Sequence, residues 1–283
     1  MTAGSEAQTA DSPLPVAVLS NVEKSYQMDA VTVPVLRDID VSIRPALFTV
    51  LLGPSGSGKT TLLNLLGCLD RPDKGKVTVA GTAVNTLTDD ELSDFRSENI
   101  GFVFQSFNLI PVLTAFENVE YPLILAGMDP DRRQRRVKRL LEAVGLADRA
   151  DNRLGQLSGG QRQRVAIARA LARKPKLVIA DEPTANLDSQ TGAAIIALMR
   201  WMQQNFKISF IFSSHDNGLI KAADDLIVLR DGVIQSVRRK PDPDKLQTPG
   251  GPIEPPVDGE PAPWAEGGDE TDFAFLYDTT RPG

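Results

Sequence analysis

Nine consecutive residues, Gly53 to Thr61 ("GPSGSGKTT"), have the composition of a phosphate cradle. Gly56 and Gly58 let the backbone curl so that successive N–H groups point inward at phosphate oxygens. The helix that follows adds the partial positive charge of its N-terminus. From that position Lys59 reaches β- and γ-phosphates, and the Thr60 hydroxyl suits Mg²⁺. The pattern requires a strand before the loop and a helix after it, and "FTVLL" and "TTLLNLLGCL" supply both.

Three further stretches carry chemistry. "KLVIADEP", Lys176 to Pro183, is an apolar strand ending in two carboxylates. Asp181 can hold Mg²⁺ through its water shell, while Glu182, pointing elsewhere, can polarise an attacking water as general base. "LSGGQRQRVAIARAL", Leu157 to Leu171, sets Ser158, Gly159 and Gly160 before an amphipathic helix and makes a second anion-binding helix N-terminus. One nucleotide does not need two cradles about 100 residues apart, so the second is expected to serve another subunit's nucleotide. "FIFSSHD", Phe210 to Asp216, holds the only histidine of the chain. By itself His215 reads as a polar residue at a strand end; what makes it a candidate is its place after a core strand, downstream of the two carboxylates.

These residues need elements to position them. "VAVLSNVEKSYQ", "VLRDIDVSI", "KGKVTVAG" and "IGFVFQ" predict strands from β-branched enrichment and alternation. "LVIAD" and "FIFSS" are short apolar runs, expected as strands buried on both faces. "GKTTLLNLLGCL", "DRRQRRVKRLLEAVG", "GGQRQRVAIARALARK" and "SQTGAAIIALMRWMQQN" predict helices from apolar recurrence at three and four residues. The expectation is an α/β core with an antiparallel early layer and a mostly helical insert near residues 106–155. No internal repeat is evident.

At 283 residues, 41% hydrophobic and 24% charged, the chain suits one large or two modest globular domains. Its apolar runs fall short of a membrane span. The N-terminus has neither a basic n-region nor an apolar h-region, and Cys68 is the only cysteine, so no intrachain disulfide is expected and the cytosol is favoured. The net charge of −6 belongs to the end of the chain. Residues 241–283 hold ten of the 37 acids and two of the 31 bases, leaving the other 240 residues near +2. A near-neutral body argues against a nucleic-acid partner. The same 43 residues contain nine of the 20 prolines and six of the 22 glycines, which do not sustain helices or central strands. Trp264, Phe273, Phe275, Leu276 and Tyr277 stand among those acids, so the tail is either solvated or a short docking segment. The basic run Arg132–Arg139 is expected to be a solvated helix face, with nucleic-acid or lipid-headgroup contact as the alternative.

At the motifs above the sequence closely resembles the ATP-binding-cassette (ABC) ATPases, across about residues 16–238. The resemblance implies the P-loop ABC ATPase fold: a RecA-like α/β core, an antiparallel β subdomain and a helical signature subdomain at about 106–165. The cassette would span 15–240, between a disordered 1–14 and a flexible tail 241–283. It implies that Tyr26 stacks on adenine and that Gly53, Pro54, Ser55, Gly56, Ser57, Gly58, Lys59, Thr60 and Thr61 hold the phosphates of ATP. Gln105 would meet Mg²⁺ and the attacking water, joining Thr60 and Asp181 at the metal. Ser158, Gly159, Gly160 and Gln161 form the signature that closes on the nucleotide of the opposite subunit, and Asp188 lies on the loop that crosses the dimer interface. Glu182, His215, Gln105 and Lys59 would carry catalysis, with His215 at the γ-phosphate.

Within the family, "LLNLLGCLDRPDKGKV", "IGFVFQSFNLIPVLTAFENVEYPL" and "DEPTANLDSQTG" are most similar to the bacterial lipoprotein-releasing and macrolide-export group. Ala185 replaces a glycine common there, and the acidic aromatic tail is outside the group's pattern. The resemblance implies a homodimer on Mg·ATP and a separate integral membrane permease, reached through the surface near Gln105 and "SFNLIPVLTAFENV". It places the chain peripherally on the cytoplasmic face of the inner membrane. A signalling ATPase coupled to an envelope or cell-division membrane protein has the same motifs and stays open. A chromosome-maintenance ATPase does not, because the stretch between loop and signature holds no long heptad insertion.

Overall fold

The computed structural model describes residues 13–29 and 31–241. The expectations for most of 1–14 and for the tail beyond Pro241 lie outside the described residues. The chain opens with two long strands, β1 (Ala17–Met28) and β2 (Val31–Ile43), followed by β3 (Phe48–Leu52), the glycine loop and α1 (Lys59–Leu66). β4 (Lys74–Val79) and β5 (Thr82–Ala83) come next, and α2 (Asp89–Asn99) leads into β6 (Ile100–Phe104). Three helices follow, α3 (Ala115–Leu125), α4 (Pro130–Ala143) and α5 (Gly159–Ala170), before β7 (Leu177–Asp181). α6 (Ser189–Phe206), β8 (Ser209–Ser213), α7 (Asn217–Ala222), β9 (Asp225–Arg230) and β10 (Val233–Arg239) complete it.

Two sheets result. β2-β1-β4-β5 is antiparallel throughout, the expected early layer. The second has the order β10-β9-β3-β8-β7-β6, parallel except where β10 turns back on β9. β8 is buried at every residue and β7 at all but its last, so both lie covered on each face, as their apolar centres require. Phe48, Phe210 and Phe212 meet across β3 and β8 with ring centroids 4.8–5.8 Å apart. Each fully buried ring contributes on the order of 2–3 kcal/mol to holding those strands together.

The parallel pairing decides where chemistry can occur. Leu51 pairs with Ser213, Asp181 with Ser213, and Phe104 with Asp181, so β3, β8, β7 and β6 end on one edge of the sheet. The glycine loop, His215, Glu182 and Gln105 leave from that edge, where α/β sheets bind ligands.

Between β6 and β7 the chain forms α3, α4 and α5, with capping boxes Thr114/Glu117 and Ser158/Gln161 starting the first and last. Buried Asn118 ties the loop before α3 in place: its Oδ1 accepts from Ile110 N at 2.8 Å and its Nδ2 donates to the Thr114 carbonyl at 2.9 Å. The basic run on α4 is only partly the solvated face expected of it. Arg136 is buried and donates to the carbonyls of Ala172 and Leu171, and Arg133 pairs with Glu120 of α3 at 2.6 Å. α2, β9 and β10 stand where the sequence reading names no element.

Candidate functional site

The glycine loop is shaped by what surrounds it. A Cβ on Gly53 would lie 2.0 Å from the Leu229 carbonyl oxygen of β9, so only glycine passes there. Gly58, at φ +101, would place a Cβ 2.8 Å from Leu36 of β2, while Gly56 at φ +76 has nothing within 4 Å and needs its glycine for backbone conformation alone. Pro54 and Ser55 are exposed, and Thr61 is buried. No side chain caps the N-terminus of α1, so its first N–H groups are left for another acceptor. Buried Ser57 Oγ has no hydrogen-bond partner among the described residues. Lys59 Nζ rests on the carbonyls of Gly53 and Pro54 at 2.6 and 3.0 Å, with no carboxylate to neutralise it among the described residues. An uncapped helix start, an unpartnered hydroxyl and an unneutralised cation together suit a polyphosphate.

Thr60 and Asp181 line one pocket with Asn64, Phe104 and Leu69. A hydroxyl and a carboxylate are hard oxygen donors that suit Mg²⁺, which binds few protein ligands and shares the rest with phosphates and water. Gln105, exposed, leaves β6 at the position following the Phe104–Asp181 pair.

Glu182 sits at φ +46, a left-handed conformation a non-glycine residue adopts only where its surroundings hold it. Here they do: its N–H donates to the Ser213 carbonyl at 2.8 Å, and its Oε2 accepts from Ser214 Oγ at 3.2 Å. Ser214 in turn accepts from Asp216 N, and Asp216 accepts from Thr184 Oγ1 at 2.9 Å. His215 Nε2 lies 4.0 Å from Glu182 Oε1, with the imidazole 61% exposed at the sheet edge. Fully buried Gln163 of α5 donates to the Pro183 carbonyl at 2.7 Å, joining the signature helix to the residue after Glu182.

The signature itself is seated elsewhere. Ser158 and Gln161 hold each other in the capping box, Ser158 N donating to Gln161 Oε1 at 2.9 Å and Gln161 N to Ser158 Oγ at 3.3 Å. A Cβ on Gly160 would meet Thr191 at 2.4 Å, and one on Gly159 would touch Leu187 at 3.4 Å. These residues therefore pack on the start of α6, whereas the phosphate loop packs on β2 and β9. Asp188 caps α6, accepting from Thr191 N at 2.9 Å and Thr191 Oγ1 at 2.7 Å. The Thr191 backbone N–H, then its hydroxyl, hold that carboxyl below the usual range. Asn186 of the same loop donates to the Gln105 carbonyl at 3.0 Å, coupling the segment before α6 to the one after β6.

Tyr26 is latched at the rim. Its hydroxyl donates to Asp70 Oδ2 at 2.7 Å, and Lys24, itself paired with Asp70 at 2.7 Å, lies 5.1 Å from the ring centroid. Tyr26 is 36% exposed and its ring is held at the far end, which leaves a face for stacking. Burial pushes the Asp70 carboxyl up, but the hydrogen bonds from Lys24 and Tyr26 outweigh it and hold it below the usual range.

The edge thus gathers Gly53–Thr61, Gln105, Asp181, Glu182 and His215, while Ser158–Gln161 at the start of α5 pack with Asp188 at the start of α6. Asp70, Gln163 and Ser214 escape sequence reasoning. Of the three, only Gln163 leaves a local trace, an amide on the buried side of an amphipathic helix.

The sequence profile of the ABC transporter family matches residues 36–185. An uncharacterized ABC transporter ATP-binding protein of Thermotoga maritima is 47% identical over 225 residues, 80% of this chain and 96% of that one. The macrolide export ATP-binding/permease protein MacB of Rhodopirellula baltica is 46% identical over 225 residues, covering 78% of this chain but 33% of that longer protein. Among solved structures, the dimeric post-hydrolysis state of the ATP-binding cassette MJ0796 (Methanocaldococcus jannaschii) bound to ADP and Pi matches with a TM-score of 0.73. Its identity is 41%, over 80% of this chain and 99% of that one. With the profile spanning more than half of the sequence, and near-complete coverage of the Thermotoga and Methanocaldococcus proteins, the chain belongs to the ABC transporter family.

Proposed function

We propose that this chain is the ATP-hydrolysing subunit of a membrane complex, working as a homodimer on Mg·ATP and driving a separate permease of the exporter or lipoprotein-extracting kind. The observation that carries the reading is the split between two anion-binding helix starts. The phosphate loop shares the sheet edge with Glu182 and His215, while the Ser158 helix start packs against Leu187 and Thr191 at the beginning of α6. A second copy turned to face the first brings its signature to the nucleotide that the loop holds, and the dimeric cassette structures among the relatives support that arrangement.

In this reading Tyr26 carries the adenine and Lys59 leaves the loop carbonyls for the β- and γ-phosphates. Thr60, Asp181 and Gln105 would hold Mg²⁺, which supplies charge neutralisation at the phosphates when bound. Glu182 takes a proton from the attacking water as its oxygen bonds to the γ-phosphorus and the bond to the β–γ bridging oxygen breaks. Ser214 orients the Glu182 carboxylate, and His215 donates to a γ-phosphate oxygen. ADP and phosphate are the products, and loss of the γ-phosphate opens the dimer.

Among the described residues no helix is long and apolar enough to cross a membrane, and in this reading the permease is a separate chain. We place that contact on the segment that follows Gln105, from residue 106 to the exposed end of α3, and the chain peripherally at the cytoplasmic face of the inner membrane. Similarity to MacB supports the exporter class. Affinity purification from detergent-solubilised membranes tests it: a multispanning protein should co-purify in stoichiometric amount. Recovery without any membrane protein would end the transport reading.

A further inference from the structure

On α3, Tyr121, Ile124 and Leu125 are 43%, 47% and 70% exposed, and their spacing of three and four residues makes one apolar stripe. A short link, residues 126–129, joins it to α4, and the Arg133–Glu120 pair fixes the first turn of α4 beside the middle of α3. Along α4, Arg132, Arg135 and Lys138 are exposed, and none of their side chains has a hydrogen-bond or ion-pair partner among the described residues. Acids on the same outer side, Asp131 and Glu142, stand toward the two ends of the helix and leave its middle basic. The surface is therefore apolar on one helix and cationic on the next.

The chain carries the complement. Residues 242–283 hold ten acids against two bases, with Trp264, Phe273, Phe275, Leu276 and Tyr277 set among them. The described chain ends at Pro241, just after β10, and roughly two dozen residues separate it from Trp264. Such a linker reaches up to about 75 Å, against on the order of 45 Å across a domain of this size. We infer that residues 264–277 dock on the α3–α4 face of their own chain, aromatics on the apolar stripe and acids on Arg132, Arg135 and Lys138. A docked tail covers the α3 end offered above to the permease, so the two exclude one another there. The tail contact itself does not depend on that assignment.

Trp264 is the reporter. The chain has one other tryptophan, and Trp201→Phe leaves Trp264 alone in the full-length protein. Acrylamide should quench it poorly, and Arg132→Glu/Arg135→Glu/Lys138→Glu should shift the docked-to-free ratio about tenfold toward free, raising the quenching constant. About 1 M salt, where the Debye length is about 3 Å, should act in the same direction. Ile124→Ser/Leu125→Ser tests the apolar half with the charges intact and should also expose the indole. Four outcomes overturn the proposal. Trp264 is quenched like free tryptophan in the parent, or its shielding survives both sets of substitutions. Shielding is lost on dilution, which makes the occupant a second copy. Shielding arises only on vesicles rich in phosphatidylglycerol, which makes the face a lipid contact.

Discussion

Glu182→Gln should stop turnover while leaving the turn around it standing. Glutamine has the same length, and its amide oxygen can still accept from Ser214, which lies 3.2 Å from the carboxylate now. Folding stability should therefore stay within about 0.5 kcal/mol of the parent. A neutral amide cannot take the proton of the attacking water, and loss of a general base costs ~10²- to 10⁴-fold in rate, ~3–5 kcal/mol on the barrier. His215, 4.0 Å away, is proposed to act on the same reacting group. Adding His215→Ala to Glu182→Gln should therefore slow hydrolysis hardly further, although His215→Ala alone slows it, because groups working as one unit are not additive. Glu182→Gly isolates the backbone. At φ +46 a side chain costs about 1–2 kcal/mol, which glycine relieves, while the looser unfolded chain takes back about 0.5–1 kcal/mol. The two nearly cancel, so this variant should be as inactive as Glu182→Gln yet lie within about 1 kcal/mol of parental stability. Phosphate release at saturating Mg·ATP and urea unfolding measure the two quantities separately. Parental turnover by Glu182→Gln removes Glu182 from the base role. A loss of well over about 2 kcal/mol in Glu182→Gly refutes the backbone reasoning.

Gly53→Ala should be far more damaging than Gly56→Ala. The first puts a methyl 2.0 Å from the Leu229 carbonyl and forces β9 to move, while the second meets no atom within 4 Å and opposes only its φ of +76, about 1–2 kcal/mol. Thermal unfolding ranks them, and equal shifts in Tm would contradict the assignment. Asp70→Ala should release Tyr26 and weaken nucleotide affinity about fivefold, the equivalent of one hydrogen bond of about 1 kcal/mol; titration with a fluorescent ATP analogue reads this directly. The Asp70 carboxyl titrates lower in the folded chain than in the unfolded one, near 3.8. Its stabilisation is thus present above that value and lost as pH falls through the folded pKa. The acid limb of the parent's stability should be steeper there than that of Asp70→Ala, and identical limbs would dispense with the latch.

What could be read from the sequence was whatever is local. Between Gly53 and Thr61 the turn, the charge and the helix start are contiguous, so residue type and spacing alone identify a phosphate cradle. β7 and β8 were readable because strands buried on both faces are apolar through their middles, Leu177–Ala180 and Phe210–Phe212, with polar residues only at their ends, and α6 because it buries a regular stripe. α2 was not, because it buries only Leu92 and so carries no apolar period. Its one visible signal was the Thr88/Glu91 capping box with three acids in the first turn, which the hydrophobic pattern does not report. The candidate site residues Gly53–Thr61, Gln105, Glu182 and His215 lie at or just after strand ends, within short contiguous motifs. The groups that hold those residues in place lie far along the chain: Asp70 is 44 residues after Tyr26, Ser214 is 32 after Glu182, and Gln163 is 20 before Pro183. No spacing rule pairs them, since their worth is set by what packs opposite. Gln163 makes the point most sharply. Its Nε2 is paired and its buried Oε1 has no partner among the described residues. An amide half-satisfied in the core costs stability, on the order of 1–3 kcal/mol. A chain selected for packing alone would carry an aliphatic residue there. The bond it does make runs from the signature helix to the carbonyl of the residue after Glu182, and so ties the turn that holds this carboxylate to the start of α5.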